Sequence, residues 1–123
     1  MGELIAATAI EQCGWSTIII PMDHIDILAM KDGTFIRVQV KASTYKIEKN
    51  VPSYRYMTGT SSHKYLDPTN IDVLAAVALE SRQVIFYNVN TLTKTLRIHP
   101  DKFNIVDIEK SSWETAVNKV LGL

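Results

Sequence analysis

Three polar side chains in apolar surroundings carry the chemistry this sequence could perform: Asp26, Gln39 and Lys41. In "FIRVQVKAST", residues 35–44, strand alternation sends Ile36, Val38 and Val40 to one face and Phe35, Arg37, Gln39 and Lys41 to the other. In the preceding "IDILAM", Asp26 points away from Ile25 and Ile27, and "KDG" at 31–33 is a turn signal that folds the two segments into a hairpin. Side chains two apart on a strand stand roughly 6–7 Å apart and adjacent strands about 4.8 Å apart, so Asp26, Gln39 and Lys41 can converge on one small volume. Glu3, in line with Ala7 and Ile10 at helical spacing, faces a core edge where a carboxylate needs a partner, and it could close the set.

Such a set suits a hard divalent cation. Mg²⁺, with Mn²⁺ as a substitute, takes oxygen ligands: one or two carboxylates, with water and substrate phosphate completing the shell. Asp26 supplies the first carboxylate, Glu3 a second directly or through water, Gln39 its amide oxygen and Val40 its main-chain carbonyl. A cation held there would polarise a phosphoryl oxygen and stabilise a leaving oxyanion. Lys41 is placed to orient or deprotonate the attacking water and to offset transition-state charge. Each residue also has a plainer reading. Gln39 and Lys41 alone are the solvent side of a half-buried strand, and Glu3 is an acid that favours a helix dipole. Asp26 is the more unusual, since charged residues are seldom buried unpaired.

The elements that must position these groups are legible in outline. Residues 2–13 are rich in helix formers and precede Gly14, a helix stop. "WSTIIIP" reads as a strand, followed by the hairpin that carries Asp26, Gln39 and Lys41. Residues 44–70 are polar with weak periodicity, and the expectation there is a loop with a short strand and a helical turn. "IDVLAAVALE" fits either a helix or a buried strand by periodicity, and a strand is favoured because "QVIFYNV" follows after the short polar "ESR" and the two would pair; "TLRIHP" reads as a further short strand. At the C-terminus Ser111 and Glu114 suggest a capping box, and Trp113, Ala116, Val117, Val120 and Leu121 form one apolar face. The expected fold is α/β: one domain over residues 1–123, with a central mixed sheet flanked by an N-terminal and a C-terminal helix.

Composition bounds the setting. A chain of 123 residues, 46% apolar and 21% charged, is an ordinary globular domain. One cysteine, Cys13, cannot form an internal disulfide, and beside a helix-ending glycine it reads as a small core residue. No apolar run approaches a bilayer span and no cleavable leader is visible, so a cytoplasmic protein without membrane association is expected. His24, His63 and His99 lack zinc-ligand spacing. Net charge is zero, but residues 41–64 hold five cations (Lys41, Lys46, Lys49, Arg55 and Lys64) against Glu48 alone. Tyr45, Tyr54, Tyr56 and His63 lie among them, so rings that could stack on bases alternate with charges that could meet phosphates. A merely solvated basic loop is the plainer alternative.

With those residues in view, "IDILAMKDGTFIRVQVKAST" resembles the catalytic hairpin of the PD-(D/E)xK nuclease superfamily: an acid, a short hairpin, then acid-x-Lys. Here the pattern reads Asp26, then Gln39-Val40-Lys41, like the group with "QVK" for "EVK" that includes small phage, archaeal and cyanobacterial homing-type endonucleases. "GELIAATAIEQCGW" is similar to the superfamily's first helix, whose glutamate would be Glu3, and "IDVLAAVALESRQVIFYNV" is similar to its later strands. The likeness spans residues 2–90 and departs from the pattern at Gln39, where most members carry an acid, and at Ile25, where they carry proline. It implies a restriction-endonuclease-like core and a Mg²⁺-dependent DNA endonuclease. Asp26, Glu3, Gln39 and Val40 would sit at the metal with Lys41 at the water, and Lys46, Lys49, Arg55, His63, Lys64, Tyr45 and Tyr54 would lie along DNA. Cutting both strands implies a homodimer or a higher even-numbered oligomer. The missing charge at Gln39 keeps open a second reading, a DNA-binding or scaffold domain that has lost catalysis. An oligomeric structural protein is a third.

Overall fold

The structure, a computed structural model, describes residues 1–20, 25–58, 70–92 and 94–123. Helix α1 (Gly2–Gln12) leads into β1 (Ser16–Ile19), β2 (Ile27–Lys31) and β3 (Thr34–Ser43). Then come β4 (Lys46–Glu48), β5 (Val51–Met57), β6 (Val73–Ala78), β7 (Gln83–Asn88), β8 (Thr95–Ile98) and α2 (Ile108–Val120). Five strands form a central sheet in the order β1-β2-β3-β6-β7, mixed because β3 and β6 run parallel while the other neighbours are antiparallel. The β2–β3 turn falls at Asp32 and Gly33, both with positive φ, a conformation in which Gly33 meets no steric penalty.

Strand alternation divides the sheet into two faces. One carries Ile27, Ala29, Ile36, Val38, Val73, Ala75, Val77, Val84 and Phe86. Both helices pack there, α1 through Ala6, Ala7, Ala9 and Ile10 and α2 through Trp113, Ala116 and Val117. The Trp113 ring stands edge-on to Phe86 at 5.0 Å and to Trp15 at 5.4 Å. Helix α2 also protects the outer strand: Glu109 accepts from the Val84 N–H at 2.9 Å and Ser112 from the Phe86 N–H at 3.0 Å.

The opposite face is covered over β6 and β7 by a second, three-stranded sheet in the order β4-β5-β8. Tyr54, Tyr56, Ile98 and Phe103 pack on Ala76, Ala78 and Ile85. The Tyr56 hydroxyl donates to the Val77 carbonyl at 2.8 Å. Burial pushes the phenol pKa of Tyr56 well above its ordinary value.

Three expectations are corrected. Residues 46–57 are a hairpin of two strands where a loop with one short strand is expected: Lys49 and Asn50, both with positive φ, form the turn that joins them, and residues 59–69 lie outside the described ones. It was hidden because only one side of this hairpin is apolar, and its partner β8 lies some forty residues on. Ser111 and Glu114 do not cap α2, which begins at Ile108 after Asp107. Ser111 lies inside the helix with its hydroxyl 3.4 Å from the Ile108 carbonyl. The apolar face of α2 is present, but Leu121 ends it largely exposed.

Candidate active site

Asp26 stands immediately before β2, where the β2–β3 ladder ends at the pair Ile27↔Val38. Asp26 departs from that register, because its N–H turns to Val38, the residue already paired with Ile27. The backbone N–H of Asp26 donates to the Val38 carbonyl at 2.9 Å and its carbonyl accepts from Ile20 at 3.0 Å, so the residue is fixed from both sides. Its carboxylate Oδ2 accepts the Val40 N–H at 2.7 Å, a charge-assisted bond in the place where a ladder bond would otherwise continue. Oδ1 has no donor among the described residues. The main-chain carbonyl of a strand residue points to the same neighbour as its N–H, so the Val40 carbonyl is directed to the Asp26 side.

Gln39 and Lys41 share the face opposite the helices, beside Leu74 and Ala76 of β6. Gln39 is half-buried and its Oε1 is fully enclosed, with no hydrogen-bond donor among the described residues. A buried carbonyl oxygen without a donor costs about 1–3 kcal/mol of desolvation, so the position is one that an electropositive group would relieve. Lys41 is half-buried two residues farther along the same face. The sequence-predicted trio is therefore brought to one end of one hairpin.

Glu3 approaches this end from the other side of the sheet. The first turn of α1 lies close against β3: a Cβ on Gly2 would come within 3.2 Å of Ala42 Cβ and 3.3 Å of Val40 Cγ1. A larger residue there would press on both side chains, so glycine lets the first turn of α1, which carries Glu3, lie close against β3. The carboxylate is itself half-exposed and lies 3.6 Å from the Met1 amine.

One polar contact of this face was not anticipated. Arg37, two residues before Gln39, grips Asp72 in a two-pronged ion pair, Nε to Oδ2 at 3.0 Å and Nη2 to Oδ1 at 2.9 Å. The Arg37 N–H also donates to Oδ2 at 2.9 Å, and the Asp72 N–H returns a bond to the Arg37 carbonyl. This clamp ties the head of β6 to β3 beside the site. Alternation alone places Arg37 on the Gln39 face, but its partner depends on the parallel register.

The cations and rings separate. Lys46, Lys49 and Arg55 are exposed on the small sheet and its turn, and Tyr45 is 43% exposed at the junction with β3. Tyr54 is only 5% exposed, packed edge-on to Tyr45 and Phe103, so it is a core residue and offers no face for base stacking; Tyr56 is buried likewise. His24, His63 and Lys64 lie outside the described residues. Cys13 packs against the helix-side core, where burial raises its thiol pKa, as expected of a structural cysteine.

The chain shares its fold with a homing endonuclease. The solved structure of the bacterial homing endonuclease I-Ssp6803I superimposes with a TM-score of 0.69 over 98% of this chain and 91% of that one, at 14% sequence identity. No protein-family model and no functionally described sequence matches the chain. At that identity the likeness is one of architecture: a mixed sheet with an N-terminal and a C-terminal helix, a nuclease-like fold. Among the described residues no helix is long and apolar enough to cross a membrane.

Proposed function

We propose that this protein is a metal-dependent DNA endonuclease that hydrolyses phosphodiester bonds at the Asp26–Gln39–Lys41 site. The observation that carries the reading is an anchored carboxylate and, on the facing strand, a buried amide oxygen with no donor among the described residues, at the end of a hairpin in a nuclease-like fold. Asp26, Gln39 Oε1 and the Val40 carbonyl form an all-oxygen donor set with one full negative charge. That fits Mg²⁺ or Mn²⁺, which keep several waters and accept substrate phosphate as a further ligand. Glu3 would complete the set through water. When bound, the cation supplies Lewis-acid polarisation of the scissile phosphate and stabilises the leaving oxygen.

The chain's own groups do the rest. The Val40 N–H holds the Asp26 carboxylate in one orientation, and the Arg37–Asp72 clamp keeps β3 and β6 in register beside it. Lys41 Nζ orients the attacking water and offsets the charge that grows on the phosphoryl oxygens. Lys46, Lys49 and Arg55 meet the DNA backbone, and His63, Lys64 and Tyr45 extend that contact. Because one chain carries one such site, a homodimer or higher even-numbered oligomer would cut both strands.

A second reading, DNA binding without cleavage, is favoured by one observation: the described residues contain no cluster of three metal-ligating acidic, histidine or cysteine side chains. Incubating supercoiled plasmid with purified protein, in Mg²⁺ and in EDTA, separates the two. Nicking or linearisation in Mg²⁺ alone, abolished in Asp26→Ala and Lys41→Ala while DNA binding persists, is the expected result. Binding with no divalent-dependent cutting under any condition would leave the non-catalytic reading.

A further inference from the structure

We infer that the outer face of the small sheet, and in particular the cross-strand pair Arg55 and Arg97, is a phosphate clamp that docks duplex DNA. The inference rests on the DNA reading above and adds to it a residue and a surface that the hairpin site does not require.

Arg55 of β5 and Arg97 of β8 are direct partners in the antiparallel register, so both side chains leave the same face. Their neighbours Tyr54, Tyr56 and Ile98 point inward into the core, which sends the two arginines outward, and both are exposed. Directly opposed residues have Cβ atoms about 4.5–5.5 Å apart, and like charges in that arrangement destabilise a sheet. Neither arginine forms an ion pair with an acid among the described residues. A strand pair that sets two unpaired guanidinium groups together is one that an anion between them would stabilise.

The charge does not stop at two groups. Lys46 of β4 is aligned with Ser53, placing it diagonal to Arg55 on the same outer face, a separation of roughly 7–8 Å. Lys46, Arg55 and Arg97 thus form a row across three adjacent strands. Below it opens a cleft of about 470 Å³ bordered by Lys49, Ser53, Arg97 and His99, with Glu48 its acid. A single small phosphate would occupy one pair of these cations and leave the others without a counter-charge. A row that crosses a whole sheet matches the repeated charges of a phosphodiester backbone. The underside of this sheet is tied down by the Tyr56–Val77 hydrogen bond and the Tyr54–Phe103 contact.

Each phosphate contact that is lost lowers the slope of log K against log salt by about 0.9. Fluorescence anisotropy on a labelled duplex of arbitrary sequence, in EDTA and between 50 and roughly 200 mM salt, reads this directly. Arg97→Ala and Arg55→Ala should each flatten the slope by about one, Arg97→Lys should restore it, and Lys110→Ala on α2 should leave it unchanged. Circular dichroism melts of each variant should match the wild type or exceed it, because removing one arginine relieves the like-charge opposition. If wild-type protein binds duplex with a steep salt slope that neither alanine variant changes, the clamp is overturned and the DNA reading survives. If the wild type shows no salt-dependent binding at all, the DNA reading itself fails. An Arg97→Lys variant that stays as flat as Arg97→Ala would also overturn a phosphate role, since lysine keeps the point charge.

Discussion

Replacing Gln39 by methionine tests the central geometric claim without touching DNA. Methionine has similar length and no branching, and it substitutes an apolar tip for the enclosed amide. Gln39 Oε1 is buried without a donor among the described residues, and such an acceptor costs about 1–3 kcal/mol. Removing it should therefore stabilise the protein in EDTA by about that amount. Unfolding entropy near 2.1 cal/mol/K per residue gives about 0.26 kcal/mol/K for this length, where the chain has 123 residues. The melting temperature of Gln39→Met should then rise by roughly 4–12 °C in EDTA. Wild-type protein should instead gain stability as Mg²⁺ is added, by about 2.7 kcal/mol at a hundredfold excess over Kd, while the variant gains much less. The two melting curves should converge or cross as Mg²⁺ increases. Differential scanning calorimetry across a Mg²⁺ series is the assay. A variant that melts lower than wild type in EDTA, or that responds to Mg²⁺ as the wild type does, refutes the idea that this oxygen awaits a cation.

Asp72→Ala should destabilise the fold by about 1–3 kcal/mol, read from urea midpoints, because it removes the two-pronged acceptor of the Arg37 side chain and the acceptor of the Arg37 N–H. The double variant Arg37→Met with Asp72→Leu should recover most of that loss. Tyr56→Phe should cost about 1 kcal/mol by deleting the hydrogen bond to the Val77 carbonyl. The pH dependence follows from the same burial: the folded phenol titrates above its unfolded value near 10, as the raised Tyr56 pKa requires. Its contribution is complete below pH about 10 and is lost as pH rises through the folded pKa. Stability should fall in that alkaline range, more steeply in wild type than in Tyr56→Phe, with tyrosinate absorbance reporting the ionisation. Lys41→Ala should reduce cleavage by about 10²–10⁴ while leaving the melting temperature within a few degrees, measured by single-turnover plasmid nicking.

Local pattern was enough for the first helix and the β2–β3 hairpin. Period-two alternation in residues 34–43, the Asp32–Gly33 turn and the Ala-rich first helix all specify their own conformations. The alternation of β3 also determined that Gln39 and Lys41 share a face, and the hairpin that Asp26 lies at its open end beside Val38 and Val40, since both depend only on neighbours in sequence. What the sequence could not decide depends on contacts between distant segments. The pairing of β5 with β8 put Tyr54 into a core and lifted Arg97 beside Arg55, although each strand alone offers either face to solvent. The parallel pairing of β3 with β6 joined Arg37 to Asp72, residues 35 apart. The end of α2 was likewise set by its docking on β7, where Glu109 and Ser112 serve strand N–H groups and leave the expected Ser111–Glu114 cap unused. Side-chain direction is written locally in a strand, whereas burial is conferred only by whatever element comes to lie on it.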